Sequence, residues 1–350
     1  EIAKLAGVKY MVLTTKHHNG FCMYDTRTTG YNIMNTPFAR DATRAFVEAC
    51  RDHGLAVGFY YSPEDFYWLY SNGRPVSRRQ EQSLMSENPE LIEYAREQMR
   101  ELMTNYGTVD IVFLDGGDGI GRNSVAKVCW EVNPDVVVTR GAFTTPEQKR
   151  PDEPIPSPWE ACITLGQQWQ YRPTNEVYKS CYDVIETLVD IRAKGGNLLL
   201  NLGPDADGEI PAEQAAIMNE LSLWMFINRE AFEGTFPCSK YRDGDLWLLQ
   251  SGNGSDLYAI YVDPEQKRWF RGERKEFLLK DYSMSDVTRI SVLGHDGEIY
   301  EYDPEMDCSP RMENSSEGLK INVMRAQRIY NDRKWPNPIV IKLENIGNRN

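Results

Sequence analysis

The chain lacks several features that would place it in common classes of protein. Its seven cysteines form no C-x-x-C pair, and an odd number cannot all pair within one chain, so a disulfide framework is not predicted. No apolar run reaches the roughly 20 residues that a membrane-spanning helix needs. The 39 Lys and Arg residues are outnumbered by 52 Asp and Glu, and no basic stripe is interleaved with aromatic residues. Nucleic-acid binding is therefore not predicted either.

What is present is an ordinary globular composition with an unusual use of histidine. The 350 residues are 41% hydrophobic and 26% charged, which allows a large core in one large or two medium domains. The chain has four histidines, and two of them form the adjacent pair His17 and His18. This pair follows an apolar run at 10–15, where a predicted buried strand becomes a loop.

Short apolar runs alternate with amphipathic helices up to about residue 234, which is typical of βα units and a parallel sheet. We predict strands at 10–15, 56–61, 110–115, 135–139, 159–164 and 197–202. Helices are expected to begin after Asp41, Asn88 and Ser180 and at Pro211, and a polar loop is expected from the second strand to about residue 87.

From about residue 235 the pattern changes to short alternating strands. We predict them at 246–250, 257–262, 276–279, 288–293, 298–302, 319–323 and 339–343, which indicates a β-sandwich over 235–350. Residues 1–234 then form an incomplete α/β domain. Six βα units are too few for a (β/α)8, TIM-like barrel, which needs eight in about 250 residues. We therefore expect a barrel whose two N-terminal units are missing, and thus a chain that is a fragment.

Side chains suited to chemistry fall at the carboxyl ends of the predicted strands. They are His17 and His18, Tyr60 and Tyr61, Asp115 and Arg140. The loops after parallel strands build the active face of barrel enzymes, so these groups are expected to converge. Two further carboxylates, Glu147 and Glu160, follow in the next loop and are expected to approach the same strand ends. Paired carboxylates without a phosphate-binding loop favour glycoside hydrolysis.

An ordered series of motifs resembles the α-L-fucosidases of glycoside hydrolase family 29, over essentially the whole chain. The motifs are KHHNGF at 16–21, NTPF at 35–38 with Arg40 and Asp41, GFYYS at 58–62, the strand at 110–116, WEAC at 159–162, QWQY at 168–171 and GGNLLLNLGP at 195–204 with Asp207 and Gly208. Each motif alone is weak, but the ordered set is specific to this family.

The resemblance implies a retaining glycosidase with Asp115 as the nucleophile that forms a covalent fucosyl-enzyme. The loop at 144–148 resembles the one that supplies the acid/base in many bacterial members, so Glu147 is expected in that role, with Glu160 as the rival. The acid/base must be protonated while Asp115 stays ionised, so their environments must separate the two pKa values.

The resemblance also implies residues that bind the sugar. The expected substrate-binding residues are His17, His18, Tyr60, Phe113, Arg140 and Trp169. Arg140 is expected to keep Asp115 charged, and Phe113 stands where many members have Trp. Fucosylated glycans are the implied substrates, with no cofactor and no metal, in a secreted, periplasmic or lysosomal setting. The oligomeric state is left open.

Two other functions remain open from the sequence. The histidine pair is compatible with a metal-dependent hydrolase, but zinc needs three or four ligands, and His53 and His295 are predicted in a helix end and a distant turn. The second function is that of a catalytically inactive carbohydrate-binding protein of the same fold. It remains open because the family's first two strands supply sugar contacts that this sequence does not contain.

Overall fold

A computed structural model describes residues 1–140, 142–263, 265, 273–295, 305, 307–324 and 337–349. The helices are α1 (Ile2–Leu5), α2 (Ala42–Asp52), α3 (Phe66–Ser71), α4 (Pro89–Asn105), α5 (Gly119–Val132), α6 (Cys181–Ala193) and α7 (Ala212–Asn228). The first six strands are β1 (Tyr10–Lys16), β2 (Ala56–Tyr61), β3 (Ile111–Leu114), β4 (Val137–Thr139), β5 (Glu160–Thr164) and β6 (Asn197–Asn201). The later strands are β7 (Thr235–Asp243), β8 (Leu246–Ser251), β9 (Leu257–Tyr261), β10 (Arg274–Leu279), β11 (Tyr282–Ser283), β12 (Arg289–Val292), β13 (Arg311–Ser315), β14 (Gly318–Met324), β15 (Ile339–Glu344) and β16 (Gly347–Asn348).

The chain divides into two units. The first comprises Glu1 and Val8–Thr145, and the second comprises Ile2–Gly7 and Pro146–Asn350. The first unit contains a parallel sheet in the order β1-β2-β3-β4. Its inner strands are apolar and buried, as parallel strands covered on both faces are. The carboxyl ends of all four strands therefore lie along one edge of this sheet.

The second unit combines a parallel pair with antiparallel sheets. Strands β5 and β6 are paired in parallel from Glu160 opposite Asn197 to Thr164 opposite Asn201. The antiparallel sheets have the orders β12-β15-β9-β8-β7, β10-β14-β13 and β11-β16. One apolar cluster is shared by the two larger sheets and includes Leu248 and Ile341 from one, and Ile321 from the other.

The six predicted parallel strands are confirmed, with small changes at their ends. The prediction of a polar loop from the second strand to about residue 87 is wrong, because α3 lies within this segment. Asp65 caps this helix by accepting a hydrogen bond from the Trp68 backbone N–H, but only Leu69 of the helix is buried, so no apolar repeat revealed it.

The later strands agree in part with the sequence analysis. Strands β7, β11, β13 and β16 were not predicted. In the edge strand β7, Pro237 and several charged residues obscure the alternation. The strand predicted at 298–302 lies outside the described residues. The domain boundary predicted at 234/235 stays a prediction. Residues on both sides of it belong to the second unit, in which helix α6 contacts β7 and β8.

A buried ion pair joins β1 to the loop after β2. Lys16 Nζ lies 3.1 Å from Asp65 Oδ2, and neither side chain is exposed. Lys16 also donates to the Glu64 carbonyl oxygen at 3.2 Å, while Asp65 Oδ1 accepts from Trp68 N at 2.7 Å. The pair therefore holds the start of α3 against the end of β1.

Replacing Lys16 measures how much this ion pair contributes to the free energy of unfolding. We expect Lys16→Met to lower the free energy of unfolding by about 3 kcal/mol or more, because it leaves the Asp65 carboxylate buried without its partner. Urea unfolding followed by tryptophan fluorescence measures the change, and Lys4→Met provides an exposed control. A loss below about 1 kcal/mol, the size usual for exposed ion pairs, would show that the pair is not structurally important.

Candidate active site

Asp115 stands immediately after β3, at the edge of the parallel sheet where the strands end. Its backbone N–H donates to the Tyr61 carbonyl oxygen at 3.0 Å, so the chain keeps its sheet pairing up to this residue. Gly116 and Gly117 then turn the chain with φ of 76° and 74°. These left-handed angles suit glycine, and they end the strand directly after the carboxylate.

Three side chains converge on the Asp115 carboxylate. The Tyr60 hydroxyl donates to Oδ2 at 2.5 Å, and Arg140 Nε lies 2.9 Å from Oδ1. His18 Nε2 is 3.4 Å from Oδ2. Arg140 reaches this position with a left-handed backbone, φ 52°, and its N–H donates to Thr145 Oγ1 at 3.0 Å. A non-glycine residue in this conformation is a local strain of the kind often found at functional sites.

These contacts keep Asp115 ionised. Burial raises the pKa of Asp115, but hydrogen bonding with His18 and Tyr60 and the charge of Arg140 outweigh it and hold the pKa below its usual range. Burial and the neighbouring Asp115 charge raise the pKa of the Tyr60 hydroxyl, so Tyr60 remains a donor. The site therefore contains a carboxylate that is charged at any pH near neutrality.

His18 is enclosed by groups that the sequence analysis did not select. Its Nδ1 is hydrogen-bonded to Ser62 Oγ at 2.6 Å and lies 3.3 Å from Glu64 Oε2. The Arg78 guanidinium contacts His18 Nε2 and pairs with Glu64 through Nε at 2.8 Å. A Cβ on Gly116 would lie 2.8 Å from Glu64 Oε2, so glycine is required for this close approach. Glu64 stands two residues after the GFYYS motif, and this position after a strand end could have identified it as a candidate site residue. Arg78 belongs to none of the motifs.

Aromatic rings form one continuous face beside the carboxylate. The His17 ring stacks on Tyr60 at 5.7 Å and 5°, and Tyr60 stacks on Phe113 at 5.5 Å and 17°. The Arg140 guanidinium lies 5.7 Å from the Phe113 ring centre. Partial burial and the neighbouring His18 lower the pKa of His17, which favours a neutral ring that can both donate and accept.

The first unit thus brings together six of the nine predicted site residues: His17, His18, Tyr60, Phe113, Asp115 and Arg140.

The other three predicted residues belong to the second unit. Glu147 is exposed in a segment that pairs in parallel with β5 at Cys162. Glu160 is 3% exposed, is the first residue of β5, and accepts from Asn197 Nδ2 at 2.8 Å. It therefore lies at the amino end of the strand, opposite to the end where the sequence analysis expected it. Trp169 is 38% exposed.

A metal ion is a poor fit to the histidine pair. Ligating atoms of His17, His18 and Asp115 lie within 4.8 Å of one another. However, both ring nitrogens of His18 and both oxygens of Asp115 already have partners. Two of those partners, Arg78 and Arg140, carry positive charges that would repel a cation. The cluster suits recognition of hydroxyl groups better than metal binding.

Comparisons with known proteins agree on one family. Residues 1–230 match the family model described as alpha-L-fucosidase. Plasma alpha-L-fucosidase of Pongo abelii is 27% identical over 323 residues, which cover 84% of this chain and 66% of that protein. Alpha-L-fucosidase isoenzyme 1 of Paenibacillus thiaminolyticus has a TM-score of 0.75 and 27% identity, covering 100% of this chain and 85% of that one. Thermotoga maritima alpha-fucosidase in complex with fucose has a TM-score of 0.74 and 25% identity, covering 97% and 76%. The chain spans about two thirds of the length of the curated relatives it matches.

The ionisation of Asp115 should depend on its neighbours. We expect Arg140→Gln and Tyr60→Phe each to raise the pKa of Asp115, because each removes a group that stabilises the carboxylate while burial remains. Carboxyl carbon NMR, with Asp115→Asn to assign the signal, should show no Asp115 titration in the wild type near the usual pKa of about 3.9 and a titration at higher pH in both variants. Arg150→Gln serves as the control. A wild-type Asp115 that titrates at the usual value would contradict this electrostatic account.

Proposed function

The chain belongs to the α-L-fucosidase family, and on this basis we propose that it hydrolyses terminal α-L-fucosides with retention of configuration. The observation that carries the proposal is the charged Asp115 carboxylate at the end of β3, held by Tyr60, His18 and Arg140. A carboxylate kept ionised beside hydroxyl-binding groups is what a nucleophilic retaining glycosidase needs.

The reaction takes place in two displacements. Asp115 attacks the anomeric carbon, the bond from that carbon to the leaving oxygen breaks, and the general acid protonates this oxygen. In the second step the same group, now a base, removes a proton from water, whose oxygen displaces Asp115 and releases fucose. Arg140 and Tyr60 stabilise the carboxylate that leaves in the second step, and they also moderate its nucleophilicity in the first.

We propose Glu147 as the acid/base. Glu147 is exposed and lies in a segment alongside β5, and the next residue reaches Thr164, the last residue of β5, through its side chain. Glu160 is buried at the amino end of β5 and hydrogen-bonded to Asn197. Active sites of parallel α/β sheets lie at the carboxyl ends of strands, so the position of Glu160 favours a structural role.

The sugar is proposed to bind against the aromatic face of the first unit. The neutral His17 ring and His18 donate to or accept from fucose hydroxyls. Phe113 is 4% exposed and stacks on Tyr60, and it is proposed to support the aromatic face against which the ring or methyl group packs. Trp169, exposed in the second unit, is proposed as a further contact. The complex of Thermotoga maritima alpha-fucosidase with fucose supports the choice of sugar.

The finer architecture is also a proposal. The parallel strands β1–β6 with their helices fit a TIM-like (β/α) barrel, and the later antiparallel sheets over their shared core fit a β-sandwich from residue 235. Fucosylated glycans are the proposed partners. Within the described residues, no helix is both long and apolar enough to cross a lipid bilayer.

The central experiment removes the nucleophile. We expect Asp115→Ala to lower kcat/KM for an aryl α-L-fucoside by at least about three orders of magnitude, because no covalent intermediate can form. Azide, which fits the space left by the carboxylate, should restore turnover and yield a fucosyl azide of inverted configuration. Asp135→Ala, at an exposed aspartate, is the control. Substantial activity in Asp115→Ala, or a wild type that binds fucosides without hydrolysing them, would favour the inactive carbohydrate-binding alternative.

A second pair of variants separates the two glutamates. Glu147→Ala should lower kcat/KM by about 10²-fold or more for a fucoside with a poorly acidic leaving group and far less for one with an acidic phenol, because the latter needs no protonation. Glu160→Ala should instead lower the melting temperature and affect both substrates alike. The opposite pattern would transfer the acid/base role to Glu160.

A further inference from the structure

One ring nitrogen of His18 faces two groups whose hydrogen-bonding roles exclude each other. The Arg78 guanidinium contacts Nε2, and Asp115 Oδ2 lies 3.4 Å from the same atom. A guanidinium can only donate and a carboxylate can only accept, whereas a ring nitrogen either carries a proton or has a lone pair. Nε2 can therefore satisfy Arg78 or Asp115, but not both at once.

The partners of the other ring nitrogen agree with one another. Ser62 Oγ donates to the Glu64 carbonyl oxygen at 3.2 Å, so it accepts at 2.6 Å from His18 Nδ1. The Glu64 carboxylate, whose Oε2 lies 3.3 Å from Nδ1, can also only accept. Nδ1 therefore carries a proton, and the conflict is confined to Nε2, the nitrogen on the side of Asp115.

Glu64 holds Arg78 in its position beside His18. Arg78 Nε lies 2.8 Å from Glu64 Oε2, and the Arg78 side chain is 49% exposed. Asp115 has its own guanidinium partner in Arg140, whose Nε lies 2.9 Å from Oδ1. Arg78 is therefore not needed to balance the charge of Asp115. Because its charge is already paired with Glu64, this guanidinium suits a neutral hydroxyl group better than an anionic substituent.

There is space beside Arg78 for its guanidinium to move. A cavity with room for a water-sized group is lined by Arg78, Glu64 and Gly117, among other residues of the first unit. Arg78 itself lies between α3 and α4 and belongs to no helix or strand. The guanidinium can therefore shift away from His18 while its Nε stays with Glu64.

We infer that a fucose hydroxyl group binds between Arg78 and His18, with its oxygen accepting a hydrogen bond from the guanidinium. The inference rests on the fucosidase function proposed above, and it adds Arg78 as a sugar-binding residue that Glu64 positions. A hydroxyl group removes the conflict at Nε2, because its oxygen accepts from Arg78 and leaves Nε2 to donate to Asp115. The bond from Arg78 is charge-assisted, so it favours a sugar that has this hydroxyl over one that lacks it.

The test removes the guanidinium and, separately, each hydroxyl of the sugar. Wild type and Arg78→Met are assayed with an aryl α-L-fucoside and with its three monodeoxy analogues, each of which lacks one ring hydroxyl. We expect Arg78→Met to lower kcat/KM for the fucoside by about 10- to 100-fold, the effect of losing a charge-assisted hydrogen bond. For the one analogue that lacks the bound hydroxyl, the same substitution should change kcat/KM by less than about twofold. Arg79→Met, at the neighbouring exposed arginine, is the control and should change none of these values.

Two further variants separate the contact from its support. Arg78→Lys keeps a positively charged donor and should recover part of the activity lost in Arg78→Met. Glu64→Gln removes the charge that holds Arg78 Nε, so it should cause a smaller fall, chiefly through KM, which is again absent for the same analogue.

A different pattern overturns the inference. An equal fall for the fucoside and all three analogues in Arg78→Met would assign Arg78 to folding, and no fall would show that it does not contact the sugar. A wild type that cleaves no fucoside would instead refute the proposed function. Calorimetric binding of methyl α-L-fucoside and its monodeoxy analogues then makes the same comparison, and equal results for wild type and Arg78→Met would overturn the contact itself.

Discussion

The arrangement of the first unit depends on keeping one carboxylate charged while most of it is removed from water. An isolated buried carboxylate would take up a proton, because burial favours the neutral form. Asp115 stays ionised because a hydroxyl, an imidazole and a guanidinium are directed at its two oxygens. Each donor comes from a different strand end, so the parallel sheet is what brings them together.

The backbone around Asp115 is adapted to the same requirement. The left-handed turn at Gly116 and Gly117 leaves space for His18 and Glu64 to close over the chain, where any side chain on Gly116 would collide with both. The strained backbone of Arg140 directs its guanidinium back towards the carboxylate. Beneath this cluster, the Lys16–Asp65 pair fixes the loop that carries Glu64. Strain and buried charge are thus concentrated where the chemistry is proposed.

Much of this could be predicted from the sequence, since strand ends and glycine turns are local signals. The six parallel strands, the histidine pair and Asp115 at a strand terminus were all accessible from apolar runs and the residues that follow them. Contacts between distant segments were not. Arg78 lies 60 residues from His18 in the chain and Lys16 lies 49 from Asp65, and no periodicity relates such positions. Glu160 shows a different limit, because its burial and its hydrogen bond with Asn197 depend on a segment 37 residues further along the chain.

The central claim is that Asp115 forms a covalent bond to fucose. The most direct test is to incubate the wild-type protein with 2-fluoro-fucosyl fluoride, which slows the second displacement, and to map the adduct by peptide mass spectrometry. The account predicts one fluorofucosyl group per chain, on the peptide that contains Asp115. An adduct on any other residue, or active enzyme that turns over fucosides with inverted configuration and forms no adduct, would contradict it.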